Sequence, residues 1–385
     1  MRDHPARRSA PATDEAFLRQ CLALASRAEG RTSPNPLVGS IVARGRRILA
    51  EAWHRRAGGV HAERGALRRA GRAARGSTLY TNLEPCCHWG RTPPCVDAIV
   101  AAGVRRVVVS HKDPDPRVNG KGIAALRRAG IEVTVGGIRR EAMQMNERHV
   151  LYHTRHRPFV LVKAAMTLDG RIAARDGSSH WISSRASRAQ AHRMRAAHDA
   201  VLVGAGTVRA DDPRLTVRRG SRSLSSTRRP LRVVIDGTLS IPYKARLLRQ
   251  RSGGPVIFYA TGGAPRARLR RLEKLGALVV IVPSEKGDSR RVRMDACLQD
   301  LARRGVTSVL VEGGGEVIAS MLKANLVDRM VLFVAPLIVG GRTAVPVAGG
   351  AGASSIGAAV RLASLEVSRC GTDLLIDARV RRRSR

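Results

Sequence analysis

One histidine, two cysteines and a glutamate in the N-terminal half have the types and spacing to do chemistry: His61-Ala62-Glu63, then Pro85-Cys86, then Cys95. Imidazole and thiolate are ligands that zinc favours, and three protein ligands leave the fourth tetrahedral position open for water. Zinc lowers the pKa of such a water, and a neighbouring carboxylate that does not ligate can carry its proton to a leaving group. The set His61, Cys86 and Cys95 with Glu63 beside it predicts one zinc ion per chain and a hydrolytic reaction with Glu63 as proton shuttle. Taken singly, each of these residues is more often a core or incidental residue; only the combination points to a metal.

Three elements must position the set. The β-prone run 77–83 reads as a strand that delivers Cys86 just beyond its end. Residues 95–102 read as a helix opened by Cys95, and residues 61–70 as a helix that starts with His61 and Glu63. Sulfur at a helix N-terminus is held as thiolate by the helix dipole as well as by a metal. The general signature for deamination of nucleobases is H-x-E followed by two cysteines separated by two residues. Here eight residues lie between Cys86 and Cys95.

Upstream, Thr13 reads as the N-cap of a helix with Phe17, Leu18, Cys21, Leu22 and Ala25 on one face, ended by Gly30. The Pro34-Asn35-Pro36 turn feeds a strand at 37–43, with a hairpin partner at 47–53. Downstream come a strand at 106–110, a helix at 121–129, a strand at 131–135 and one long helix at 141–153. This alternation predicts a three-layer α/β domain with parallel strands, and a boundary near Tyr152 before Pro158. The pattern then restarts: strands at 159–164, 200–203, 232–235, 256–259, 278–282, 308–311 and 330–334, with helices at 185–197 and 316–322. No element is assigned after residue 334. Gly313-Gly314-Gly315 follows a strand and opens a helix, so its N–H groups could cradle a phosphate, although a bare Gly triplet is more often only a turn.

The 385 residues suit two domains of ordinary size. Six cysteines without secretory spacing predict a reducing compartment rather than a disulfide framework. No apolar run reaches the length of a membrane span, and the first residues are polar and basic, so a soluble cytoplasmic protein with no membrane partner is expected. The net charge of +39 invites a nucleic-acid reading. The arginines are, however, scattered through every segment, and only 3% of residues are aromatic, too few for a stacking platform. No specific nucleic-acid partner is expected, whereas a phosphorylated small molecule would be drawn in. Homo-oligomerisation is left open.

Ser33-Pro34-Asn35-Pro36-Leu37-Val38-Gly39, His54-x-x-Ala57-Gly58-x-x-His61-Ala62-Glu63 and the run from Leu83-Glu84-Pro85-Cys86-Cys87-His88-Trp89-Gly90-Arg91 to Thr92-Pro93-Pro94-Cys95 resemble the bifunctional deaminase/reductase family of riboflavin biosynthesis. The long cysteine spacing is that family's own form. The resemblance continues through Arg157-Pro158-Phe159-Val160, Ser179-x-Trp181-Ile182, Asp211-x-Pro213-x-Leu215-Thr216-x-Arg218 and Glu312-Gly313-Gly314.

It implies a cytidine-deaminase-like three-layer α/β/α domain over 13–152 and a dihydrofolate-reductase-like α/β domain over 153–380. It assigns Asn35, His88 and Arg91 to substrate in the first. In the second it places NADPH against Ala165, Trp181, Thr207, Asp211, Gly314, Gly315, Glu316, Val317, Ile318, Ala319 and Ser320. The ribose-phosphate substrate falls to Lys163, Ser179, Arg195, Leu215, Arg218 and Glu312, since guanidinium forks match phosphate oxygens. The implied activity is deamination of a phosphorylated diaminopyrimidine followed by NADPH-dependent reduction of its ribosyl side chain.

The chain departs from the family at several positions: Cys87 adds a thiol that could compete for the metal, Asp113 and Asp115 stand where Asn is commoner, Asn119 where a smaller residue is, Ser183 replaces Thr, and Gly237 replaces a hydroxyl residue that often contacts the cofactor. Three alternatives stand beside this reading: a nucleic-acid deaminase, a chain with an inactive reductase half, and the same chemistry serving another pathway.

Overall fold

The computed structural model describes residues 12–90, 92–219, 222–223, 229–250 and 253–382. The chain divides into two compact units between His156 and Arg157.

The first unit is built on five strands, β1 (Gly39–Arg44), β2 (Arg47–Trp53), β3 (Thr78–Thr81), β4 (Arg106–Val109) and β5 (Glu132–Val135), in the order β2-β1-β3-β4-β5. A turn at Gly45 and Arg46 is too short for anything but an antiparallel hairpin of β1 with β2. Strand β1 is also antiparallel to β3, so only β3, β4 and β5 pair in parallel. The sheet is therefore mixed rather than wholly parallel.

Successive residues of a strand point to opposite faces and feed two cores. Val42, Leu79, Val107 and Val109 pack with residues of α2 (Ala62–Ala70), α3 (Cys95–Ala101) and α4 (Lys121–Arg128). Ile41, Ala43, Tyr80 and Val108 pack with α1 (Ala12–Ser26) and Ala142 of α5 (Arg139–Met145). The result is the expected three layers. Helix α1 buries the face carrying Phe17, Leu18, Cys21, Leu22 and Ala25. It runs from Ala12, so Thr13 lies inside it and is not its cap.

The single helix expected over 141–153 is two, α5 and α6 (Glu147–Arg155), broken at Asn146. The Asn146 side chain accepts from Leu37 N at 2.7 Å and donates to Leu37 O at 2.9 Å. Leu37 lies between the Pro36 turn and β1, where no ladder satisfies its backbone, so a side chain must do so. Tyr152 lies within α6, which ends at His156 in the left-handed conformation.

The second unit holds a nine-stranded sheet in the order Leu278–Ile281, Val256–Ala260, Leu231–Ile235, Ala200–Gly204, Ser308–Val311, Phe159–Thr167, Arg329–Ala335, Asp373–Val380, Leu362–Cys370. Strands from Leu278–Ile281 through Arg329–Ala335 are parallel. The sheet is covered on both faces, as parallel sheets are, which is why its strands read as unbroken apolar runs. Val160, Val162, Leu202 and Val309 meet Leu298, Leu301, Ile318 and Met321 on one face, and Val201, Val203, Val234 and Phe258 meet Leu239, Leu247 and Leu272 on the other.

The antiparallel hairpin Leu362–Cys370 and Asp373–Val380 lies beyond the last element the sequence indicated. Its outer strand has no buried residue, so no hydrophobic alternation marks it.

Candidate active sites

The first unit brings His61, Cys86 and Cys95 together. One ligand atom from each lies within 4.8 Å of the others. His61 precedes the first turn of α2 and Cys95 opens α3, so two helix N-termini converge on one point. The first N–H groups of a helix have no partner within it. Cys95 N accordingly donates to Cys86 Sγ at 3.3 Å. Hydrogen bonding with the Cys95 thiol pushes Cys86 down to about 4, against burial and with the help of His61.

The imidazole orientation is fixed. His61 Nδ1 faces Cys95 Sγ at 3.3 Å and Cys86 Sγ at 3.5 Å, while Nε2 is 3.2 Å from Thr92 Oγ1. Nδ1 is thus the nitrogen available to a metal, with Nε2–H donating to Thr92. A metal-bound imidazole commonly has its second nitrogen held in this way. Two thiols and one imidazole nitrogen, close-set and partly buried, fit a tetrahedral zinc ion with one position to spare. Glu63 is 4% exposed, and burial raises its carboxyl above the ordinary range. It neighbours the cluster without belonging to it.

Asn35 is tied to a residue to which the sequence reading gave no role. His54 Nδ1 is 3.1 Å from Val60 O, an acceptor, so that nitrogen carries the proton. His54 Nε2 therefore accepts from Asn35 Nδ2, at 3.2 Å. The His54 ring in turn stands edge-on to His61, with centroids 5.3 Å apart. Burial holds His54 below its ordinary pKa, consistent with a neutral ring.

Glu84 was also without a role in the sequence reading. Its buried carboxylate accepts from the N–H groups of Asp113 (3.0 Å), Gly120 (2.9 Å) and Ile123 (3.0 Å), bracing the loop that leads into α4 against the metal segment. A carboxylate surrounded by backbone donors looks like any other acid in sequence.

Cys87 does not join the ligands. Its Sγ points to Arg117 O at 3.7 Å and the side chain packs against the core under α3 and α4. His88 is half-buried, and its Nδ1 has no hydrogen-bond partner among the described residues. Arg91 lies outside the described residues. Asp113 accepts from His149 Nε2 at 2.9 Å and from Asp115 N at 2.9 Å. Asp115 is held down at about 2 by its hydrogen bonds with Arg117, which outweigh the opposing effect of burial.

The second unit contains a cavity of about 940 Å³ above the C-terminal ends of its parallel strands, the usual ligand position in such sheets. Lys163, Ala165, Ser179, Trp181, Arg195, Thr207, Asp211, Leu215, Arg218, Glu312, Gly314, Gly315, Glu316, Val317, Ile318 and Ser320 all line it. Ala319 does not; its methyl faces the Gly350 backbone.

Glu312 follows the strand Ser308–Val311 and meets Arg195 through both oxygens, at 2.7 and 2.5 Å. Burial alone would raise its carboxyl, but the charge of Arg195, then that of Lys163, brings the net shift below the ordinary range. Arg195 also donates to Thr216 O at 3.1 Å, so the guanidinium is engaged within the fold as well as turned to the cavity. Burial lowers Lys163, opposed by Glu312.

His192, also lining the cavity, had no role in the sequence reading. Its Nδ1 accepts from Arg218 N at 3.3 Å, and burial followed by the charges of Arg195 and Arg218 pushes it down to about 4. A neutral ring with Nδ1 occupied offers Nε2–H, a further donor in a site already rich in them. The only sequence signal is its position three residues before Arg195, one helical turn along the helix Arg185–Ala197.

Ser179 donates to Asp211 at 2.9 Å. Gly314 precedes the helix Gly315–Lys323 with φ of 84°, a conformation that side chains resist. An added Cβ there would stand 3.3 Å from Thr207 Oγ1.

Residues 11–111 match the cytidine and deoxycytidylate deaminase zinc-binding region, and residues 158–376 match the RibD C-terminal domain. The riboflavin biosynthesis protein RibD of Aquifex aeolicus is 39% identical over 363 residues, 94% of this chain and 97% of that protein. RibD of Escherichia coli is 37% identical and shares 85% of this chain and 89% of its own. Among solved structures, Acinetobacter baumannii RibD superposes with a TM-score of 0.84 at 33% identity, covering 96% of this chain and 99% of that one. A Thermotoga maritima diaminohydroxyphosphoribosylaminopyrimidine deaminase/5-amino-6-(5-phosphoribosylamino)uracil reductase gives 0.79 at 35% identity, with 96% and 99% covered. A zinc-ready cluster in the first unit, a cation-lined cleft in the second and likeness along nearly the whole length lead to one conclusion: the chain belongs to the RibD family of bifunctional deaminase/reductases of riboflavin biosynthesis.

Proposed function

We propose that the first domain, 13–152, deaminates 2,5-diamino-6-ribosylamino-4(3H)-pyrimidinone 5′-phosphate, and that the second, 153–380, reduces the ribosyl side chain with NADPH to give 5-amino-6-ribitylaminouracil 5′-phosphate. The observation that carries this reading is the convergence of His61, Cys86 and Cys95 beside a buried, non-ligating Glu63, in a chain whose other unit encloses a separate cleft ringed by Lys163, Arg195, Arg218 and His192.

His61 Nδ1 and the two sulfurs would hold zinc, which when bound acidifies a water molecule. Glu63, whose carboxyl burial raises above its ordinary range, would take the proton of that water and return it to the departing amine. Asn35, oriented by His54, reads the pyrimidine edge, and His88 and Arg91 contact the ring or phosphate. Ammonia leaves and one water is consumed.

In the second domain Arg218 and the free N–H groups of Arg195 bind the substrate phosphate, with Ser179, Leu215 and Glu312 shaping the site and Lys163 facing the sugar. Held in this cleft, NADPH would supply the hydride that reduction of the ribosyl side chain requires. The chain positions both partners and screens charge.

The test is to incubate the purified protein with the diaminopyrimidine phosphate and NADPH. One ammonia released and one NADPH oxidised per substrate is expected; release without oxidation, or neither, would overturn the reading.

Two further outcomes test the local geometry. Metal analysis should find about one zinc per chain, and Thr92→Val, which removes the acceptor for His61 Nε2–H, should weaken zinc binding about 10–100-fold in chelator competition. His54→Ala should leave zinc content unchanged yet lower deaminase kcat/KM about tenfold or more, as expected for losing the hydrogen bond that orients Asn35. In an Asn35→Ala background the His54 substitution should cost almost nothing further; full additivity would show that the two act independently.

A further inference from the structure

Arginines that lie scattered along the first half of the chain are gathered by its topology at one end of the first unit. Strands β3, β4 and β5 run parallel and β1 is antiparallel to β3, so the β1–β2 turn shares an end with the starts of those three strands. His61, Cys86 and Cys95 stand at the opposite end, at the N-termini of α2 and α3 and beyond the C-terminal end of β3.

The turn carries Arg44, Arg46 and Arg47, the segment before β3 carries Arg72 and Arg75, and Arg105 precedes β4. These stretches touch one another. The Arg44 guanidinium donates to Ala73 O at 3.1 Å and Arg75 O at 3.0 Å, and Arg105 N donates to Ser77 O at 3.0 Å. The last turns of α2 and α4 bring two more arginines each to the same end.

Helix C-termini favour cations, which accounts for those last-turn residues, and Arg44 satisfies two carbonyls. The fold gives no such reason for Arg46, Arg47, Arg72, Arg75 and Arg105. All five are exposed, and among the described residues their guanidiniums have neither a hydrogen bond nor an acidic partner. Asp14 and Glu132, the acids against this end, are both held by Arg106, at 2.8 and 3.2 Å. Crowded like charges repel and destabilise the compact state, so the cluster opposes the fold that assembles it.

Four strand spacings separate β2 from β5, which makes this end about 19 Å across. Duplex nucleic acid carries one charge per about 1.7 Å of its axis, on the order of ten over that width. The large apolar side chains exposed here are Ile48 and Val100, and no exposed aromatic ring stands among them. Charge without a stacking platform fits a paired backbone rather than unstacked bases. The lack of an aromatic or extended apolar anchor argues against a lipid surface.

We propose that this end of the first unit, centred on Arg46, Arg47, Arg72, Arg75 and Arg105, is a docking surface for the phosphate backbone of duplex nucleic acid, recognised by charge and not by sequence. The metal cluster faces the other way, so docking and the first reaction do not compete.

Fluorescence anisotropy of the full chain with a labelled DNA duplex of about 20 base pairs, titrated from about 50 to 200 mM salt, tests this. The parent should bind, with log affinity falling linearly as log salt rises. Arg46→Gln, Arg47→Gln, Arg72→Gln and Arg75→Gln together should weaken binding about 10–100-fold at the lower salt and make the slope shallower by about 2–4, since each lost phosphate contact contributes about 0.9. Arg105→Glu alone should act in the same direction. A control removes as many charges from the exposed helix Arg266–Lys274 of the second unit, as Arg266→Gln, Arg270→Gln, Arg271→Gln and Lys274→Gln. It should leave the slope unchanged and affinity within about threefold. All variants should unfold no earlier than the parent on heating, which reports that they are folded. Equal weakening in the two quadruple variants would mean that net charge alone drives association, and would overturn the surface. So would tighter binding of a single-stranded oligonucleotide of the same length, or no duplex binding by the parent at the lower salt, with or without retention on phosphatidylserine vesicles.

Discussion

Glu63→Gln is expected to lower ammonia release from the diaminopyrimidine about 10²–10⁴-fold, the usual contribution of a positioned general acid and base, while NADPH oxidation with supplied deaminated substrate continues. The substitution is nearly isosteric and Glu63 is not among the three ligand residues, so zinc content should hold at the level of the parent protein. What is lost is a carboxyl that burial raises above its ordinary range, beside the His61, Cys86 and Cys95 cluster. Burial of an acid at the mouth of a metal site costs stability, so Glu63→Gln should also unfold no earlier than the parent at neutral pH. Ammonia assay, metal analysis and NADPH oxidation on the same preparation decide the matter. Loss of both activities with each substrate supplied directly would mean that Glu63 supports the fold rather than the first reaction.

Arg195→Ala should abolish NADPH oxidation and destabilise the second unit by about 3–5 kcal/mol, because it strands Glu312 as a buried carboxylate. The structure makes this a larger effect than loss of a phosphate contact alone, since Arg195 meets both Glu312 oxygens and Thr216 O.

The pH dependence carries the sign. In the parent, Glu312 titrates below its ordinary value, so its contribution to stability is present above the unfolded pKa and is lost as pH falls through the folded one. Without Arg195, burial is opposed only by the smaller effects of Lys163 and His192, and the carboxyl moves upward. Stability would then be lost as pH rises, and the variant should be relatively most stable in mild acid. Thermal unfolding of both proteins from pH 4 to 8 reads the reversal, and ammonia release at neutral pH should persist. An unchanged pH profile would mean that the ion pair contributes nothing to holding the cleft.

Much of the fold could be read from the chain because each element carries its own signal. The buried parallel strands are continuous apolar runs, α1 shows its stripe from Phe17 to Ala25, and Gly313-Gly314 marks the turn before a helix. The metal set was equally legible: histidine, cysteine and glutamate are few, and only one combination lies at element ends. The hairpin after residue 362 was not, since an exposed edge strand imposes no alternation.

What sequence could not supply is which polar group meets which. Glu84, His54, Asn146 and His192 are ordinary residues in the chain, and each acquires its role from a partner brought close by folding: three backbone N–H groups, the Asn35 amide, Leu37 and the Arg218 backbone. Residue types along the chain were enough to single out His61, Cys86 and Cys95 as a set able to hold a metal, with Glu63 beside them, and local periodicity was enough to order most strands and helices. Only folding brings about the turn of Cys87 away from His61, Cys86 and Cys95, the engagement of Arg195 with Glu312 and the packing of the Arg290 strand on Gly237. The reason is physical: periodicity is a property of neighbours along the chain, whereas hydrogen bonding, burial and charge pairing depend on distances of a few ångströms between residues that sequence leaves far apart.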